Sequence, residues 1–170
     1  MGELVYASLG SNLGDRFENL KKAISSIHQS VGRVSKISSI YITPPWGFES
    51  NNDFFNVCIE ILTEKSPEEV LKNFESIENQ LGRIRNSSIG YTSRPIDLDI
   101  LTYSDKIIST EKLCIPHPRL GDRNFVLRPL LEIAPTFIHP QSTKTIQHLI
   151  ADCQDEAPYK IHEEKIYFSH

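Results

Sequence analysis

The order of strand and helix patterns in the first 103 residues constrains the fold of this chain more than any other feature. Apolar or alternating runs typical of strands occupy residues 4–9, 34–42, 54–62 and 96–103. Between them, apolar residues recur at helical spacing over residues 15–31 and 66–81. Ser66, Pro67 and Glu69 carry the pattern of a capping box, which predicts where the second helix begins.

This order is that of the ferredoxin-like β-α-β-β-α-β motif, and it predicts an α+β sandwich with an antiparallel sheet and helices on one face. Further elements are expected as a hairpin in 106–115, a helix in 124–133 with Pro129 in its first turn, a short helix in 145–151 and an edge strand in 164–168. With 170 residues the chain is expected to form one domain, residues 1–170, in which 135–170 are a C-terminal extension.

The charge balance excludes a generic nucleic-acid binder. Asp and Glu number 22 against 18 Lys and Arg, whereas such a binder usually has a basic surface. The absence of a long apolar run predicts no membrane span, and the N-terminus does not resemble a signal peptide. Cys58, Cys114 and Cys153 form no C-x-x-C pair, which favours reduced thiols over a disulfide or zinc site. We therefore expect a cytoplasmic monomer whose partners are small molecules.

Arginines are concentrated in one stretch of this acidic chain. Six of the eight lie between residues 83 and 128: Arg83, Arg85, Arg94, Arg119, Arg123 and Arg128. Guanidinium groups match the geometry of phosphate oxygens, which favours an anion site. The equally weighted alternative is a set of surface arginines paired with the abundant carboxylates.

Asp97 and Asp99 are a sharper signal. Residues i and i+2 of a strand point to the same face, roughly 6.6 Å apart along the chain, and aspartate is depleted in strands. Two carboxylates side by side repel each other, so a nearby arginine or a metal ion should compensate their charge. Mg²⁺ binds to one or two carboxylates together with substrate phosphates. With the arginines, the pair indicates phosphoryl transfer. The alternative is an ordinary solvent-facing strand.

The glycine-rich segment from Gly10 to Gly14 is not a P-loop, because the lysine of that motif is missing. A turn between the first strand and the first helix, with Asn12 or Asp15 as the cap, is the favoured interpretation.

Three further residues are candidates for ligand contact. Phe54 and Asn56 share a strand face next to the Pro44-Pro45 loop and could hold a flat heterocycle, although core packing would also explain them. His117, between two prolines, could contact phosphate or cap a turn, and the two roles are weighted equally.

Taken together in chain order, these motifs resemble a known family. They are Gly10-Ser11-Asn12-Leu13-Gly14-Asp15, Tyr41-x-Thr43-Pro44-Pro45-x-Gly47, Phe55-Asn56, Glu78-x-x-x-Gly82-Arg83-x-Arg85, Arg94-Pro95-Ile96-Asp97-Leu98-Asp99-Ile100-Leu101, Ile115-Pro116-His117-Pro118-Arg119, Arg123 and Leu130-x-Glu132-Ile133-Ala134-Pro135. From about residue 4 to residue 135, the chain resembles the 6-hydroxymethyl-7,8-dihydropterin pyrophosphokinases of folate biosynthesis.

The resemblance implies transfer of pyrophosphate from ATP to the pterin hydroxymethyl group, with release of AMP. It implies that Asp97 and Asp99 hold two Mg²⁺ ions and that they act in catalysis with Arg83 and Arg94. It implies ATP binding by Glu78, Arg83, Arg85, Arg94, Leu98, Ile100, Cys114, His117 and Arg123. It implies pterin binding by Thr43, Pro44, Pro45, Phe54, Asn56 and Phe125. Loops 44–53 and 84–93 flank this site and are expected to act as lids.

The chain also departs from the family pattern. The segment between Arg85 and Arg94 is one residue longer than usual and contains Ile89, Gly90 and Tyr91 where an Arg-Trp pair is frequent. Phe54 replaces a frequent tyrosine, and Pro118 follows the histidine. Two other functions remain open: a different Mg²⁺-dependent kinase or nucleotidyl transferase on the same fold, and a non-catalytic nucleotide-binding module.

Overall fold

The computed structural model describes residues 2–45, 52–82 and 95–168. The helices are α1 (Arg16–Ser30), α2 (Pro67–Gln80), α3 (Asn124–Ile133) and α4 (Ile146–Asp152). The strands are β1 (Glu3–Ser11), β2 (Arg33–Ile37), β3 (Tyr41–Thr43), β4 (Phe54–Thr63), β5 (Asp97–Tyr103), β6 (Ile108–Ser109), β7 (Cys114–Ile115) and β8 (Lys160–Ile161). Both predicted helices of the motif are confirmed, as are its first, third and fourth strands and the short helix α4.

The main sheet is antiparallel and has the order β5-β1-β4-β3-β8, with β2 also paired to β4. The second predicted strand is split into β2 and β3, which both pair with β4. Ser38 lies at this break, where its hydroxyl accepts a hydrogen bond from the N–H of Cys58 (3.0 Å). A side-chain hydroxyl thus replaces a backbone partner and interrupts the ladder.

Hydrogen-bonded caps fix where the first two helices begin. The carboxylate of Asp15 accepts from the N–H of Glu18 (3.1 Å), so the predicted cap is confirmed, although Gly10 and Ser11 still belong to β1 and the turn begins after them. Gly14 makes that turn possible because it has a φ of 67°. The predicted capping box is present at α2, since Ser66 and Glu69 each bind the other's backbone N–H.

Helices pack on both faces of the sheet, whereas the sequence predicted one face. The odd-numbered residues of β1 and β4 pack with α1 and α2 in the main apolar core. On the opposite face, Cys58 and Leu101 pack against α3 and α4 in a second apolar cluster. The second layer was missed because the even-numbered positions of β4 include polar residues, which suggested a solvent-facing surface.

Glu132 connects α3 to the start of β3 through hydrogen bonds. Its carboxylate accepts hydrogen bonds from the N–H and hydroxyl of Ser39 (2.8 and 2.9 Å) and from the hydroxyl of Tyr41 (2.8 Å). Burial alone would raise the pKa of Glu132, but these hydrogen bonds and the nearby Lys165 charge outweigh it and lower that pKa. The ionised carboxylate thus holds α3 against the start of β3.

Two predictions about the C-terminal third are wrong. Pro129 lies in the second turn of α3, where its missing N–H leaves the carbonyl of Phe125 without a helical partner. Residues 164–168 form no strand; Ile166 is buried in the main core, while β8 at 160–161 pairs with β3 instead. The apolar residues of 164–168 therefore serve packing rather than a ladder.

Within the three described stretches, no helix combines the length and apolar character needed to cross a lipid bilayer.

Candidate active site at one end of the sheet

One row of residues crosses four strands on the face that carries α3. Gly10 pairs with Asp97 of β5 on one side and with Asn56 of β4 on the other, and Asn56 pairs with Tyr41 of β3. Because neighbouring strands lie about 4.8 Å apart, Asp97 and Asn56 are roughly 10 Å apart with one glycine between them. A Cβ on Gly10 would be in ordinary contact with Oδ1 of Asn56 (3.4 Å) and with the ring of Phe54 (3.5 Å), so both side chains border the space above Gly10.

Asp97 and Asp99 share this face, as the strand alternation predicted. Each is partly exposed, whereas Leu98 between them is buried in the main core on the opposite face. Carboxylate oxygens are the ligands that Mg²⁺ prefers, and substrate phosphates complete its coordination. No group of three or more candidate metal ligands occurs among the described residues. Two partly exposed carboxylates on one strand face fit a magnesium ion whose other ligands are substrate phosphates.

His117 lies beside Asp99, with Nε2 3.9 Å from an Asp99 carboxylate oxygen. The backbone N–H of His117 donates to the carbonyl of Leu101 (2.8 Å), and this hydrogen bond holds His117 next to β5. Nδ1 accepts from the N–H of Arg119 (3.1 Å), so the neutral ring carries its proton on Nε2. The predicted turn cap is confirmed, and the same geometry presents Nε2–H as a donor at the site.

Burial, and then the charge of Arg123, lower the pKa of His117 to about 4, while Asp97 acts in the opposite direction. His117 is therefore neutral at pH 7, which keeps Nδ1 available as an acceptor.

The low pKa of His117 predicts a pH-dependent loss of stability. The unfolded histidine gains a proton below its ordinary pKa of 6.5, whereas the folded one gains it only near 4. The free energy of unfolding should therefore fall as the pH drops through this window, by about 3 kcal/mol from this group. Urea unfolding at several pH values between 4 and 7.5 measures this effect. The free energy of unfolding should depend less steeply on pH in His117→Gln than in the wild type. His148→Gln, at an exposed position on α4, is the control, and parallel curves for wild type and His117→Gln would contradict the pKa assignment.

Two predicted site residues lie at the start of α3. Arg123 is its N-cap residue and is 8% exposed, and its guanidinium carbon lies 5.6 Å from the centre of the Phe125 ring. Arg123 supplies no side-chain cap; instead, the N–H of Asn124 donates to the carboxylate of Asp155 (3.1 Å). Asp155, 31 residues further along the chain, thus holds the start of α3, where Arg123 and Phe125 lie.

The predicted pterin residues form a cleft next to this helix end. Nδ2 of Asn56 donates to the hydroxyl of Thr43 (2.8 Å) and to the carbonyl of Tyr41 (3.1 Å). The cleft is narrow, with a volume of about 30 Å³. Its walls are Thr43, Pro44, Pro45, Asn124, Phe125, Asp155, Ala157 and Tyr159. Four of the six predicted pterin residues are therefore in one cleft, with Asn56 bonded to its rim.

The remaining predicted ATP residues are placed differently. Leu98 and Ile100 are buried in the main core, but β5 is an edge strand, so any nucleoside contact from them is a backbone contact. Glu78 is buried on α2, and Cys114 is exposed on β7. Arg83, Arg85 and Arg94, and most of the two predicted lid loops, lie outside the described residues.

Comparison with known proteins identifies the family. The model of the 7,8-dihydro-6-hydroxymethylpterin-pyrophosphokinase family, abbreviated HPPK, matches residues 6–135. The chain belongs to this family. The predicted resemblance is thereby confirmed, and with it the reaction of the HPPK family, pyrophosphate transfer to hydroxymethyldihydropterin in folate biosynthesis.

Two bacterial enzymes are similar to this chain over most of their length. A 2-amino-4-hydroxy-6-hydroxymethyldihydropteridine pyrophosphokinase from Porphyromonas gingivalis is 44% identical over 142 residues, which cover 82% of this chain and 95% of the relative. The enzyme of the same name from Bacillus subtilis is 45% identical over 134 residues, which cover 78% of this chain and 79% of that protein.

A solved structure supports the fold. A chain described as HPPK-DHPS in complex with substrates superposes with a TM-score of 0.72 at 14% identity, over 88% of this chain. This chain spans only 43% of that longer one. The likeness supports the ferredoxin-like fold of this HPPK member, and the predicted fold class is confirmed.

The sequence analysis missed two residues near the cleft, Asp155 and Tyr159. They lie beyond the segment that resembles the family, and no local motif marks them.

Proposed function

We propose that this chain transfers the β,γ-pyrophosphoryl group of ATP to the hydroxymethyl group of 6-hydroxymethyl-7,8-dihydropterin and releases AMP, with Mg²⁺ as cofactor. The row Asp97-Gly10-Asn56 carries the proposal. It sets the Asp97 carboxylate and the Asn56 amide on one face, roughly 10 Å apart. That spacing leaves room for a phosphate chain on one side and a flat acceptor on the other.

On the ATP side, Asp97 and Asp99 are proposed to hold two Mg²⁺ ions. When bound, the metal neutralises phosphate charge and lowers the pKa of the hydroxyl that attacks. The neutral His117 ring donates its Nε2–H toward a phosphate oxygen, and Arg123 adds a buried positive charge. Arg83, Arg85 and Arg94 are proposed to contact the phosphates, and Glu78, Leu98, Ile100 and Cys114 to contact the nucleoside.

On the pterin side, Asn56 is proposed to be the main polar contact. Its Nδ2 is held by Thr43 and Tyr41, so its orientation is fixed, and its Oδ1 lies toward Gly10 in the open part of the row. There Oδ1 can accept a hydrogen bond from a ring N–H of the pterin. Phe54, Phe125, Pro44 and Pro45 supply apolar surface for the ring.

Asn56→Ala should weaken pterin binding far more than ATP binding. A site built to hydrogen-bond a heterocycle loses about 1–3 kcal/mol when one partner is removed, or roughly tenfold to a hundredfold in affinity. Calorimetric titration with a pterin analogue and, separately, with a non-hydrolysable ATP analogue measures both effects. Asn79→Ala, at an exposed asparagine on α2, is the matched control. Equal losses for the two ligands would place Asn56 outside the pterin site.

The reaction itself is tested by its nucleotide product. Incubation with ATP, Mg²⁺ and the reduced pterin alcohol should yield AMP in an amount equal to the pyrophosphorylated pterin. ADP would instead indicate an ordinary kinase on the same fold, and neither nucleotide would indicate a binding module. Omission of the pterin controls for hydrolysis of ATP.

The predictions about organisation stay proposals. Residues 135–170 are proposed to belong to the same domain, because α4 packs on α3 and β8 extends the main sheet. A monomer in the cytoplasm is proposed as well, and light scattering at assay concentration checks the first of these two properties.

A further inference from the structure

A C-terminal strap, residues 153–162, runs in extended form along the edge of the molecule after α4. Cys153, Asp155 and Ala157 are half-buried, while residues 154, 156 and 158 are exposed. This alternation shows that one side of the strap lies on the protein. The inner face of the strap therefore carries Cys153, Asp155 and Ala157.

The first anchor of the strap is Asp155. Its carboxylate accepts the N–H of Asn124 (3.1 Å), and its carbonyl accepts Nδ2 of Asn124 (2.6 Å). A second carboxylate oxygen accepts the N–H of Ala157 (3.0 Å), which fixes the turn of the strap. A carboxylate at the first N–H of a helix also interacts favourably with the helix dipole. Asp155 thus joins the strap to the helix end that carries Arg123 and Phe125.

The second anchor lies on the opposite side of the cleft. β8 pairs with Tyr41 and Ile42 of β3, and the N–H of His162 donates to the carbonyl of Ile40 (2.9 Å). β3 ends at Thr43, which is bonded to Asn56. The strap therefore bridges the two structures, β3 and α3, that supply the other walls of the cleft.

Tyr159 lies between the two anchors and forms part of the cleft wall. Its ring centre is 5.6 Å from that of Tyr41, and the guanidinium carbon of Arg128 lies 5.9 Å from it. Tyr159 is 41% exposed as a whole residue, so part of its surface is available to a ligand. Tyr159 is thus an aromatic side chain that is held in place at a cleft shared with Phe125 and Pro45.

Asn124 adds a polar group to the same wall. Its Nδ2 is committed to the strap, and its Oδ1 is buried without a hydrogen-bond partner among the described residues. A buried acceptor of this kind is satisfied when a ligand brings an N–H donor. A pterin carries such donors on its amino group and its ring.

We infer that the strap forms one wall of the pterin cleft, in which Tyr159 contacts the pterin ring and Asp155 positions the start of α3. The inference rests on the proposed function, because it takes the pterin as the occupant of this cleft. It assigns the specificity for the acceptor partly to residues beyond the segment that matches the family.

Tyr159→Ala tests the contact. Loss of an aromatic face beside a flat heterocycle should raise the Michaelis constant for the pterin, and the dissociation constant of a pterin analogue, by about tenfold. The Michaelis constant for ATP and kcat should stay within about twofold. Tyr159→Phe should retain pterin affinity because it keeps the ring. Tyr167→Ala, at an 81% exposed tyrosine beyond the end of the strap, is the matched control.

Asp155→Ala tests the positioning role. Since Asp155 holds the helix end with both Arg123 and Phe125, its loss should raise the Michaelis constants for ATP and for the pterin together, with a lower melting temperature. Asp155→Asn should recover part of both, because the amide oxygen still accepts the Asn124 N–H. Glu156→Ala, at the exposed neighbour, should change neither.

The outcomes separate this inference from the proposed function. Pterin-analogue binding that is unchanged in Tyr159→Ala, in a wild type that produces AMP, would overturn the inference and leave the function intact. A wild type that binds the pterin analogue but releases no AMP would overturn the function. The binding measurement would then still test the inference about the strap. If Tyr159→Ala loses affinity for the pterin analogue and Tyr167→Ala does not, the contact from Tyr159 is supported. If Tyr159→Ala keeps its affinity, the contact is rejected.

Discussion

Replacing Asp97 or Asp99 with alanine is expected to abolish turnover, with a loss on the order of 10³-fold or more in kcat for each variant. The two carboxylates are the proposed magnesium ligands on the partly exposed face of β5, and the described residues contain no group of three candidate metal ligands. Charge stabilisation by a bound metal contributes several kcal/mol in the transition state, and each 1.36 kcal/mol is a factor of ten. Steady-state rates of AMP release at saturating Mg²⁺ measure the effect.

The same substitutions should leave the fold intact. Both side chains are partly exposed and lie on one strand face, so removing one carboxylate also removes a like-charge repulsion. The melting temperature without ligands should hold or rise slightly. Asp105→Ala, at an exposed turn just after β5, is the matched control and should keep full activity. Near-normal turnover in either site variant would remove these residues from the metal site.

An exchange of metal preference gives a second readout. In Asp99→Cys, a thiolate replaces a hard oxygen ligand, and thiolates favour softer ions over Mg²⁺. Residual activity should therefore be higher with Cd²⁺ than with Mg²⁺, relative to the wild type under the same conditions. No change in this ratio would mean that the side chain at position 99 does not touch the metal.

The strand alternation was sufficient to predict which face Asp97 and Asp99 occupy. Period two places residues 97 and 99 together whatever the sheet order is, and Leu98 between them had to be buried. The capping box at Ser66 was equally local, because its hydrogen bonds join residues that are three apart. Signals of this kind are complete within a few residues, so the sequence alone carries them.

The parts of the site that the sequence did not predict depend on contacts between distant segments. The hydrogen bond from Asn124 to Asp155 spans 31 residues, and the pairing of β8 with β3 spans more than a hundred. Neither leaves a periodic pattern, since β8 has only two residues and the strap has no regular structure before it. The helix layer formed by α3 was missed for a related reason. Asn56 and Glu60 give the even-numbered face of β4 a polar character, although Cys58 between them is buried against α3.

Arg123 is the residue whose replacement should have the next largest effect. It is almost fully buried at the start of α3, close to the Phe125 ring, and its charge acts on His117. We propose that this guanidinium contacts a phosphate and stabilises the charge that grows on the leaving group. Removal of one preorganised group of this kind costs on the order of 10²-fold in kcat. Arg123→Ala should show that loss at saturating ATP, and Arg123→Lys should recover part of it, because lysine keeps the charge but not the fork.

Two measurements separate this role from a merely structural one. The Arg123 charge lowers the pKa of His117, so Arg123→Ala should move the imidazole titration upward from about 4, as followed by NMR. A structural role through α3 would instead shift Phe125 and raise the Michaelis constant for the pterin, with kcat retained. Arg119→Ala, at an exposed arginine just before the start of α3, should change neither quantity. A variant that keeps kcat while pterin affinity falls would assign Arg123 to the support of the cleft rather than to the phosphates, because a transition-state contact lowers kcat without much effect on ground-state binding.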